Sequence, residues 1–407
     1  MGVYFSNFVD INPRVNLEKG KEYPFVEMSE VDPVRRYVNG LQKRLFQGGG
    51  TRFRAGDTLF ARITPCLENG KIAQFISSEQ IGFGSTEFFV FRAVPNISDP
   101  GFVYYLSKSD LIRQPAEKSM TGASGRQRAD LNSIVNVEAP VVSLAAQRKI
   151  AAILSAYDDL IENNLRRIKI LEEMAQNLYR EWFVNFRFPG HENTRFVDSP
   201  LGKIPVGWEV KCLKDLLIFK NKGTKAGEHL ANLAYLPIDL LPRKSLAISE
   251  VKPWEEAKSS LHLFEEGDFL FGAMRPYFHK VVIAPFNGVT RKTCFVFASK
   301  KPQYRAFALL TLFQESTVAY ANAHSKGATI PYAVWPNSME NMQFAMPPES
   351  YAVMFENSVG PIIERIKMTY HNNKNLRQTR DLLLPKLISG EVDVSELDIK
   401  VPEEVAI

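Results

Sequence analysis

The sequence predicts an α+β protein in which two homologous α/β domains are separated by two long helices. We expect these helices to pack as an antiparallel coiled coil with a pseudo-twofold axis. Three observations support this prediction. One stretch of sequence occurs twice, a long segment without proline or glycine follows the first copy, and a segment with the same apolar spacing follows the second. A chain of 407 residues is long enough for two or three domains.

The repeat relates FRAGDTLFARITPCLENGKIAQF, residues 53–75, to FEEGDFLFGAMRPYFHKVVIAPF, residues 264–286. Aligned without a gap, at an offset of 211 residues, the two stretches share nine of 23 positions. Each copy predicts three short strands, because β-branched and aromatic residues are bounded by Gly, Pro and Asn. The predicted strands span residues 57–63, 71–76 and 88–94, and residues 268–274, 280–284 and 294–298. A helical segment follows each set, over residues 100–116 and 302–323.

The Gly-Asp pair is the part of the repeat that matches best, at Gly56-Asp57 and Gly267-Asp268. The aspartates could be catalytic carboxylates, or they could cap a turn at the entry to a strand. We favour the turn, which is a common use of Gly and Asp. A further glycine-rich triplet, Gly82-Phe83-Gly84, is too short for a cofactor loop and predicts a turn before the strand at residue 88.

The segment from Ser143 to about Phe186 contains no Pro or Gly and predicts one long helix. Its apolar residues alternate in steps of four and three, which is typical of a coiled-coil seam. The seam consists of Ile150, Leu154, Tyr157, Ile161, Asn164, Ile168, Leu171, Ala175, Leu178 and Trp182.

The second helix continues the same spacing near the end of the chain, with Arg380 as the charged member of its seam. Its predicted seam consists of Ile362, Ile366, Asn373, Leu376 and Leu383. An interior proline costs a helix about 3 kcal/mol, so we expect Pro361 and Pro385 to kink or end this helix. Asn164 and Asn373 could pair and fix the register, or each could face water; the pattern leaves both open.

These elements divide the chain into five predicted segments. They are a first domain (1–142), a central helix (143–186), a second domain (187–348), a C-terminal helix (349–390) and a tail (391–407).

Several functional classes lack their motifs in this sequence. The chain has no G-x-x-x-x-G-K-[ST] phosphate loop and no Asn/Asp-Pro-Pro-Tyr/Phe tetrapeptide, which argues against ATP hydrolysis through that loop and against a built-in adenine methyltransferase. Cys66, Cys212 and Cys294 are far apart, so neither a zinc site nor a disulfide framework is expected, and a reducing cytoplasm is the expected compartment. No apolar run approaches the ~18 residues that span a bilayer. We therefore expect no catalytic residue, no metal and no membrane.

The loops between the repeated strands differ between the two copies, and they are rich in side chains that bind phosphates and base edges. A net charge of +5 permits nucleic-acid binding. For each of these residues taken alone we favour an ordinary solvated surface residue, and the case for binding rests on several such loops at equivalent places on the repeated scaffold. The candidate DNA-binding residues are Arg35, Arg36, Arg52, Arg54, Arg62, Thr64, Asn69, Lys71, Arg126, Gln127 and Arg128 in the first domain, and Arg275, Tyr277, His279, Lys280, Arg291, Lys292, Lys326 and Thr329 in the second.

Three stretches resemble one protein family. PVVSLAAQRKIAAILSAYDDLIENNLRRIKILEEMAQNLYREWFVNFRFPG (140–190) resembles the central region of the specificity subunits of type I restriction-modification enzymes. LGKIPVGWEVKCLKDL (201–216) resembles the start of a target recognition domain in that family, and DLLLPKLISGEV (381–392) resembles its C-terminal helix.

The resemblance implies a non-catalytic subunit that reads double-stranded DNA, with each domain recognising one half of a bipartite target. The helices would set the spacer between the halves and dock two modification (methyltransferase) subunits, and two restriction (motor-nuclease) subunits would complete the complex. The resemblance implies that S-adenosylmethionine, ATP and Mg belong to those partners and that this chain binds no cofactor. The competing hypothesis is a coiled-coil scaffolding adaptor without DNA readout.

Overall fold

The computed structural model of the chain describes residues 3–123, 125–258, 260–327 and 329–401. The chain forms two compact units: unit 1 comprises Met1–Asn163 and Asn375–Ile407, and unit 2 comprises Asn164–Lys374. Both divisions fall inside long helices, so each unit contains one α/β head and a segment of each long helix. The domain boundaries given above remain predictions, and residues 402–407 of the predicted tail lie outside the described residues.

The head of unit 1 contains eleven strands and four helices within the described residues. The strands are β1 Val3–Tyr4, β2 Val9–Ile11, β3 Glu22–Val26, β4 Tyr37–Val38, β5 Gln42–Leu45, β6 Thr51–Arg54, β7 Thr58–Ala61, β8 Ile72–Phe75, β9 Ile81–Gly84, β10 Phe88–Ala93 and β11 Glu138–Ala139. The helices are α1 Phe5–Phe8, α2 Pro100–Lys108, α3 Asp110–Lys118 and α4 Asn132–Val135. The strands form sheets in the orders β2-β10-β7-β8-β4, β5-β3-β9-β6 and β1-β11.

The long helix α5 runs from Leu144 to Tyr179, over 36 residues, and continues into a π-helical turn at Arg180–Val184. The head of unit 2 follows. Its strands are β12 Phe196–Ser199, β13 Gly202–Pro205, β14 Glu209–Cys212, β15 Leu217–Lys220, β16 Gly223–Thr224, β17 Ala234–Tyr235, β18 Leu261–Phe264, β19 Phe269–Gly272, β20 Val281–Ile283, β21 Gly288–Arg291, β22 Cys294–Ser299 and β23 Gln343–Met346. Its helices are α6 Leu213–Leu216, α7 Arg305–Phe313 and α8 Glu315–Ala323. The sheet orders are β15-β22-β19-β20, β16-β18-β21-β17, β14-β23 and β12-β13.

The predicted repeat is confirmed by the strand pairing. In unit 1, β7 lies between β10 and β8, and in unit 2, β19 lies between β22 and β20, with antiparallel pairing throughout. The second sheets also match, because β3 runs parallel to β9 as β17 runs parallel to β21. The alignment without a gap is wrong after the first strand, however. Thr58 pairs with Gln74 and its counterpart Phe269 pairs with Ile283, so the connection between these strands is two residues shorter in unit 2.

Each predicted helix of the heads is in fact two helices. Ser109 separates α2 from α3 and Gln314 separates α7 from α8, both with extended backbone angles. The Ser109 hydroxyl donates to the Leu106 carbonyl at 2.6 Å, which satisfies an acceptor at the end of α2. The break therefore lies at the same place in each copy of the repeat.

The triplet Gly82-Phe83-Gly84 belongs to strand β9, so the predicted turn is wrong. The glycines are needed because β9 lies against β3 at close range. A Cβ atom on Gly84 would lie 2.4 Å from the Val26 carbonyl oxygen, and one on Gly82 would lie 2.9 Å from that of Pro24. Glycine allows a backbone approach that any side chain would block.

Helix α9 runs from Glu349 to Ser389, over 41 residues, so Pro361 and Pro385 neither end nor divide it. The expectation that they would end the helix was wrong for an identifiable reason. Both prolines are exposed, and so are Asn357 and Asp381, four residues before them. A proline has no N–H to donate to the carbonyl group four residues before it. These carbonyl groups lie on the solvent-exposed side of the helix, where water can donate hydrogen bonds to them instead.

The two long helices run antiparallel within each unit. In unit 1, the Lys149 amine donates to the Ser395 carbonyl at 2.7 Å, while Arg380 pairs with Asp158 further along α5. In unit 2, Asn164 lies beside Asn373, and Trp182 lies 5.6 Å from the Phe355 ring, between ring centroids. Each unit has its own apolar core, in which helix residues such as Leu154 in unit 1 pack with the head. No helix of the described residues is long and apolar enough to cross a membrane.

Candidate nucleic-acid interface

In unit 1 the loop of residues 121–128 is held against the segment that follows β7. The Thr64 amide donates to the Gln127 carbonyl at 2.9 Å, and the Gln127 amide donates to the Thr64 hydroxyl at 2.9 Å. The loop also closes on itself, since the amides and carbonyls of Thr121 and Arg128 are bonded in both directions, at 3.1 and 2.9 Å. The structure thus brings four candidates together: Arg62, Thr64, Gln127 and Arg128.

Glu87 organises the basic side chains of this cluster. Its carboxylate accepts two hydrogen bonds from Arg128 Nε and one from Arg128 Nη2, at 2.6–3.1 Å, and another from Arg62 Nε at 3.2 Å. The hydrogen bond and charge of Arg128, assisted by Arg62, lower the pKa of Glu87 below its usual value. Sequence inspection missed this residue. The signal was present in TEFFVF, where Glu87 directly precedes the repeated strand and Thr293 takes the corresponding place in unit 2.

The other DNA-binding candidates of unit 1 differ in how much of each side chain is exposed to solvent. Arg54, Asn69 and Arg126 are exposed, and Arg52 is half-buried. Arg35 is exposed and lies 3.8 Å from both Asp32 and Glu162, distances at which the ion pairs are loose. These residues remain candidate DNA contacts.

Two unit 1 candidates are committed to the fold. Arg36 is buried among the rings of Tyr37, Tyr104 and Tyr105, at 4.8–5.5 Å from their centroids, and donates two hydrogen bonds to Gln74. The Lys71 amine donates to the Met28 carbonyl at 2.7 Å. Arg36 is only 9% exposed and bonded within the fold, so burial argues against it as a DNA contact, and Lys71 would have to give up a structural bond.

Unit 2 holds its loop by equivalent backbone bonds. The Arg275 amide donates to the Pro331 carbonyl at 2.8 Å, as Thr64 does to Gln127 in unit 1. Lys326 and Tyr332 are bonded in both directions, at 2.9 and 2.8 Å, as Thr121 and Arg128 are. The bonded residues carry different side chains, since Lys326, Pro331 and Tyr332 stand where unit 1 has Thr121, Gln127 and Arg128, while the backbone arrangement is kept. We refer to this arrangement in each unit as the loop clamp.

The Tyr332 hydroxyl donates to the Lys292 carbonyl, which brings the turn before β22 to the loop clamp of unit 2. Five candidates here are exposed: Tyr277, Arg291, Lys292, Lys326 and Thr329. Arg275 itself is half-buried and has a left-handed backbone, at φ 53°.

Two unit 2 candidates are again committed to the fold. His279 is 3% exposed and its Nε2 bonds the Phe313 carbonyl at 2.9 Å, so it is wrong as a DNA contact. Burial lowers its pKa, although Glu315 opposes the shift. The Lys280 amine donates to the Ile238 carbonyl at 2.7 Å, and burial lowers its pKa too. The left-handed turns at Arg275 and His279 direct these side chains in ways that the sequence pattern did not indicate.

The Gly-Asp aspartates have scaffold roles in both units. Asp57 accepts from the Arg54 amide at 2.8 Å, and Asp268 accepts from the Glu265 amide at 2.8 Å, so each closes the same turn. Asp57 also forms a bidentate pair with Arg92 at 2.7 Å, whereas Asp268 pairs with Lys220 at 2.8 Å. The structure has the turn that we favoured from sequence. Within the described residues, no group of three metal-ligating side chains is placed to hold a metal ion.

None of the predicted seam residues is exposed. Ile150, Leu154, Ile161, Ile168, Ala175, Trp182, Ile366 and Asn373 are buried, and Tyr157, Asn164, Leu171, Leu178, Ile362, Leu376 and Leu383 are half-buried. Of the two alternatives for the seam asparagines, the structure has the paired one, because Asn164 Nδ2 donates to Asn373 Oδ1 at 2.8 Å. Arg380, the charged seam member, is 4% exposed and pairs with the buried Asp158.

The chain has relatives among known proteins. Residues 11–173 match the family described as type I restriction modification DNA specificity domain. The chain is 28% identical over 313 residues to the type I restriction enzyme MjaIX specificity subunit of Methanocaldococcus jannaschii, covering 73% of this chain and 70% of that protein. It is 21% identical over 418 residues to the HindI specificity subunit of Haemophilus influenzae, covering 83% and 87%.

A solved structure has a similar fold. The S subunit of a type I restriction-modification system from M. genitalium matches with a TM-score of 0.50 and 13% identity, covering 95% of this chain and 96% of that one. At this identity the likeness concerns the fold alone. The sequence matches confirm the resemblance that the sequence indicated.

Proposed function

Because the chain is related to the specificity subunits of type I restriction enzymes, we propose that it is the DNA specificity subunit of a type I restriction-modification complex. It would perform no chemistry itself. Each unit would read one half of a bipartite target in double-stranded DNA, through loops carried by its head.

The observation that carries this proposal is the loop clamp. The same backbone bonds hold a loop at equivalent places in the two units, while the side chains on those loops differ. Phosphate contacts position a protein on DNA and base-edge contacts specify the sequence. A shared scaffold with different side chains is what two readers of different half-sites require.

The exposed faces of the long helices support the proposed partners. Leu160, Ile170 and Met174 on α5, and Met368 and Leu382 on α9, are each more than half exposed. Single exposed apolar residues are common, but Ile170 and Met174 lie one helical turn apart and together offer an apolar contact to a protein partner. We propose that two modification subunits dock on these helices and that two restriction subunits join them. S-adenosylmethionine, ATP and Mg would be bound by those subunits.

The helices would also set the spacer. Inserting one heptad into α5 or α9 adds about 10 Å at 1.5 Å per residue. The expected result is a longer gap between the two half-sites in a genome-wide map of methylated adenines. The insertion in α5 is best made directly after Glu173, which is exposed, and compared with a seven-residue insertion after the exposed Lys400. If the helix is longer but the gap between the half-sites is unchanged, the helices do not set the spacer.

The experiment that separates this proposal from a scaffolding adaptor is duplex binding by the chain in complex with its methyltransferase subunits. A DNA reader binds its target with an affinity that falls steeply as salt rises, because bound counterions are released. An adaptor assembles with the same partners but binds duplex DNA no better than the partners alone do.

A further inference from the structure

Unit 1 has an open cavity of about 430 Å³ whose rim carries three arginines, Arg14, Arg52 and Arg62. Phe88 and Phe89 also line it, and each is 3% exposed. Asparagine and threonine side chains supply the rest of the polar lining, and no acidic residue lines the cavity in the part of the chain that the structure describes. Arg52 and Arg62 are DNA-binding candidates from sequence, whereas Arg14 was not singled out.

Two of the arginines are held in place by the fold. Arg52 Nη1 donates to the Val15 carbonyl at 3.4 Å, and its guanidinium lies over the Phe46 ring at 4.8 Å. Arg62 Nε donates to Glu87 at 3.2 Å, and its guanidinium lies 5.4 Å from the Phe89 ring centroid. Each guanidinium has five N–H donors, so these contacts fix its position and leave donors for a ligand.

We propose that this cavity binds a phosphate group of the DNA backbone. The inference rests on the proposed function and adds a specific contact to it. Guanidinium groups match the geometry of phosphate oxygens and bind them through two parallel hydrogen bonds. A base is the poorer fit for two reasons. Phe88 and Phe89 are too buried to stack on a base, and a guanine edge is read by one bidentate arginine, whereas three arginines line this cavity.

The site belongs to unit 1 only. With Gly56-Asp57 matched to Gly267-Asp268, Leu263 stands in the place of Arg52, and Ala273 stands in the place of Arg62. Both unit 2 residues are apolar, so two of the three charges are missing there. The contact should therefore act on one half-site, and it supplies affinity without choosing the base sequence.

The test is the salt dependence of DNA binding by the complex of this chain with its methyltransferase subunits. Arg14→Ala and Arg52→Ala should each weaken binding, and the double variant should lower the slope of log affinity against log salt by about 0.9, the value for one phosphate. The affinity should fall by the same factor for target and random duplexes. Arg14→Lys should keep the slope. Lys118→Ala, an exposed charge on α3 outside the cavity, is the matched control.

A second measurement places the phosphate. Neutral methylphosphonate groups are introduced one at a time into the target duplex. In the wild type, one substitution in the half-site read by unit 1 should weaken binding, and the same substitution should have no further effect on the double arginine variant. Equal losses in wild type and double variant would overturn the inference, as would an unchanged salt slope or an altered base preference. A wild-type complex that binds no duplex DNA would instead overturn the proposed function, and this inference with it.

Discussion

In each unit the long helices contact the head at equivalent positions. The contact residues are charged and polar in unit 1 and apolar in unit 2. In unit 1, Asp158 on α5 pairs with Arg380 on α9 and accepts a hydrogen bond from the Tyr105 hydroxyl of α2 at 2.5 Å. The seam of α9 matches the seam of α5 at an offset of 205 residues, which aligns Phe355 with Ile150. The same offset aligns α7 with α2.

At this separation the counterparts in unit 2 are Ile363, Ala175 and Leu310, which are all fully buried in its core. One junction is therefore an ion pair with a tyrosine, and the other is hydrocarbon. Burial raises the pKa of Tyr105 well above its usual value, whereas Asp158 raises that of Arg380 against the opposing effect of burial. The comparison shows that both units bury a contact between the long helices and the head at the same positions. The type of side chain that forms the contact, charged or apolar, is not shared.

The largest expected effect comes from breaking the ion pair. Asp158→Ala or Arg380→Ala should destabilise unit 1 by about 3–5 kcal/mol, because each removes the buried partner of a buried charge. Arg380 would keep only the exposed Asp381, and Asp158 would keep only the Tyr105 hydroxyl. Hydrogen exchange of unit 1 peptides should report this loss. All four tryptophans lie in unit 2, so the midpoint of tryptophan fluorescence should stay close to that of the wild type.

The matched control copies unit 2 into unit 1. The triple variant Tyr105→Leu, Asp158→Ile, Arg380→Ala should be neutral, or more stable by about 1–4 kcal/mol, since apolar groups often replace buried ion pairs without loss. If the triple variant is as unstable as Asp158→Ala, the two junctions are not interchangeable and the comparison fails.

A smaller effect is expected at the Gly-Asp turns, where the cation comes from a different strand in each unit. Arg92 on β10 is 12% exposed and its partner Asp57 is 1% exposed, whereas Lys220 on β15 is 27% exposed. Arg92→Ala should cost about 2–3 kcal/mol, as loss of a buried charged hydrogen bond does. Lys220→Ala should cost about 1 kcal/mol or less, since water partly replaces the pair. Urea denaturation of both variants checks the order, and an equal cost would contradict it.

The smallest expected effect is a pH dependence confined to unit 2, which contains all six histidines of the chain. Burial lowers the pKa values of His262 and His279 from their usual 6.5. As the pH falls below about 6.5, the unfolded chain binds protons before the folded one, so unit 2 loses stability. Between pH 7 and 5 the tryptophan-fluorescence midpoint should fall for the wild type and fall less for His279→Gln. If the midpoint falls equally in the wild type and in His279→Gln, His279 does not cause the pH dependence.

Local patterns explain why much of the fold could be predicted. The strands at residues 58–61 and 269–272 and helix α5 are set by the spacing of their own apolar residues. The breaks at Ser109 and Gln314 were missed because nothing in their neighbourhood forbids a continuous helix. The continuity of α9 through Pro361 was missed because it depends on which side of the helix faces water.

The candidate site could be predicted only in part, because burial of a charged side chain is decided by distant residues. In the sequence, Arg36 looks like a basic loop residue. In the structure it is covered by Tyr104 and Tyr105, which are almost 70 residues further along the chain. His279 is similarly covered by Phe313. The loop clamps are backbone bonds between Thr64 and Gln127 and between Arg275 and Pro331, which no side-chain pattern encodes.

The measurement that tests the central claim most directly is an exchange of the first domain. Residues 1–142 are replaced by the corresponding domain of a related specificity subunit, and methylated adenines are mapped across the genome of cells that carry each version with the same partners. Two readers on one repeated scaffold predict that one half of the recognised sequence changes while the other half and the spacer are kept. A map in which both halves change, or in which neither does, would contradict the account.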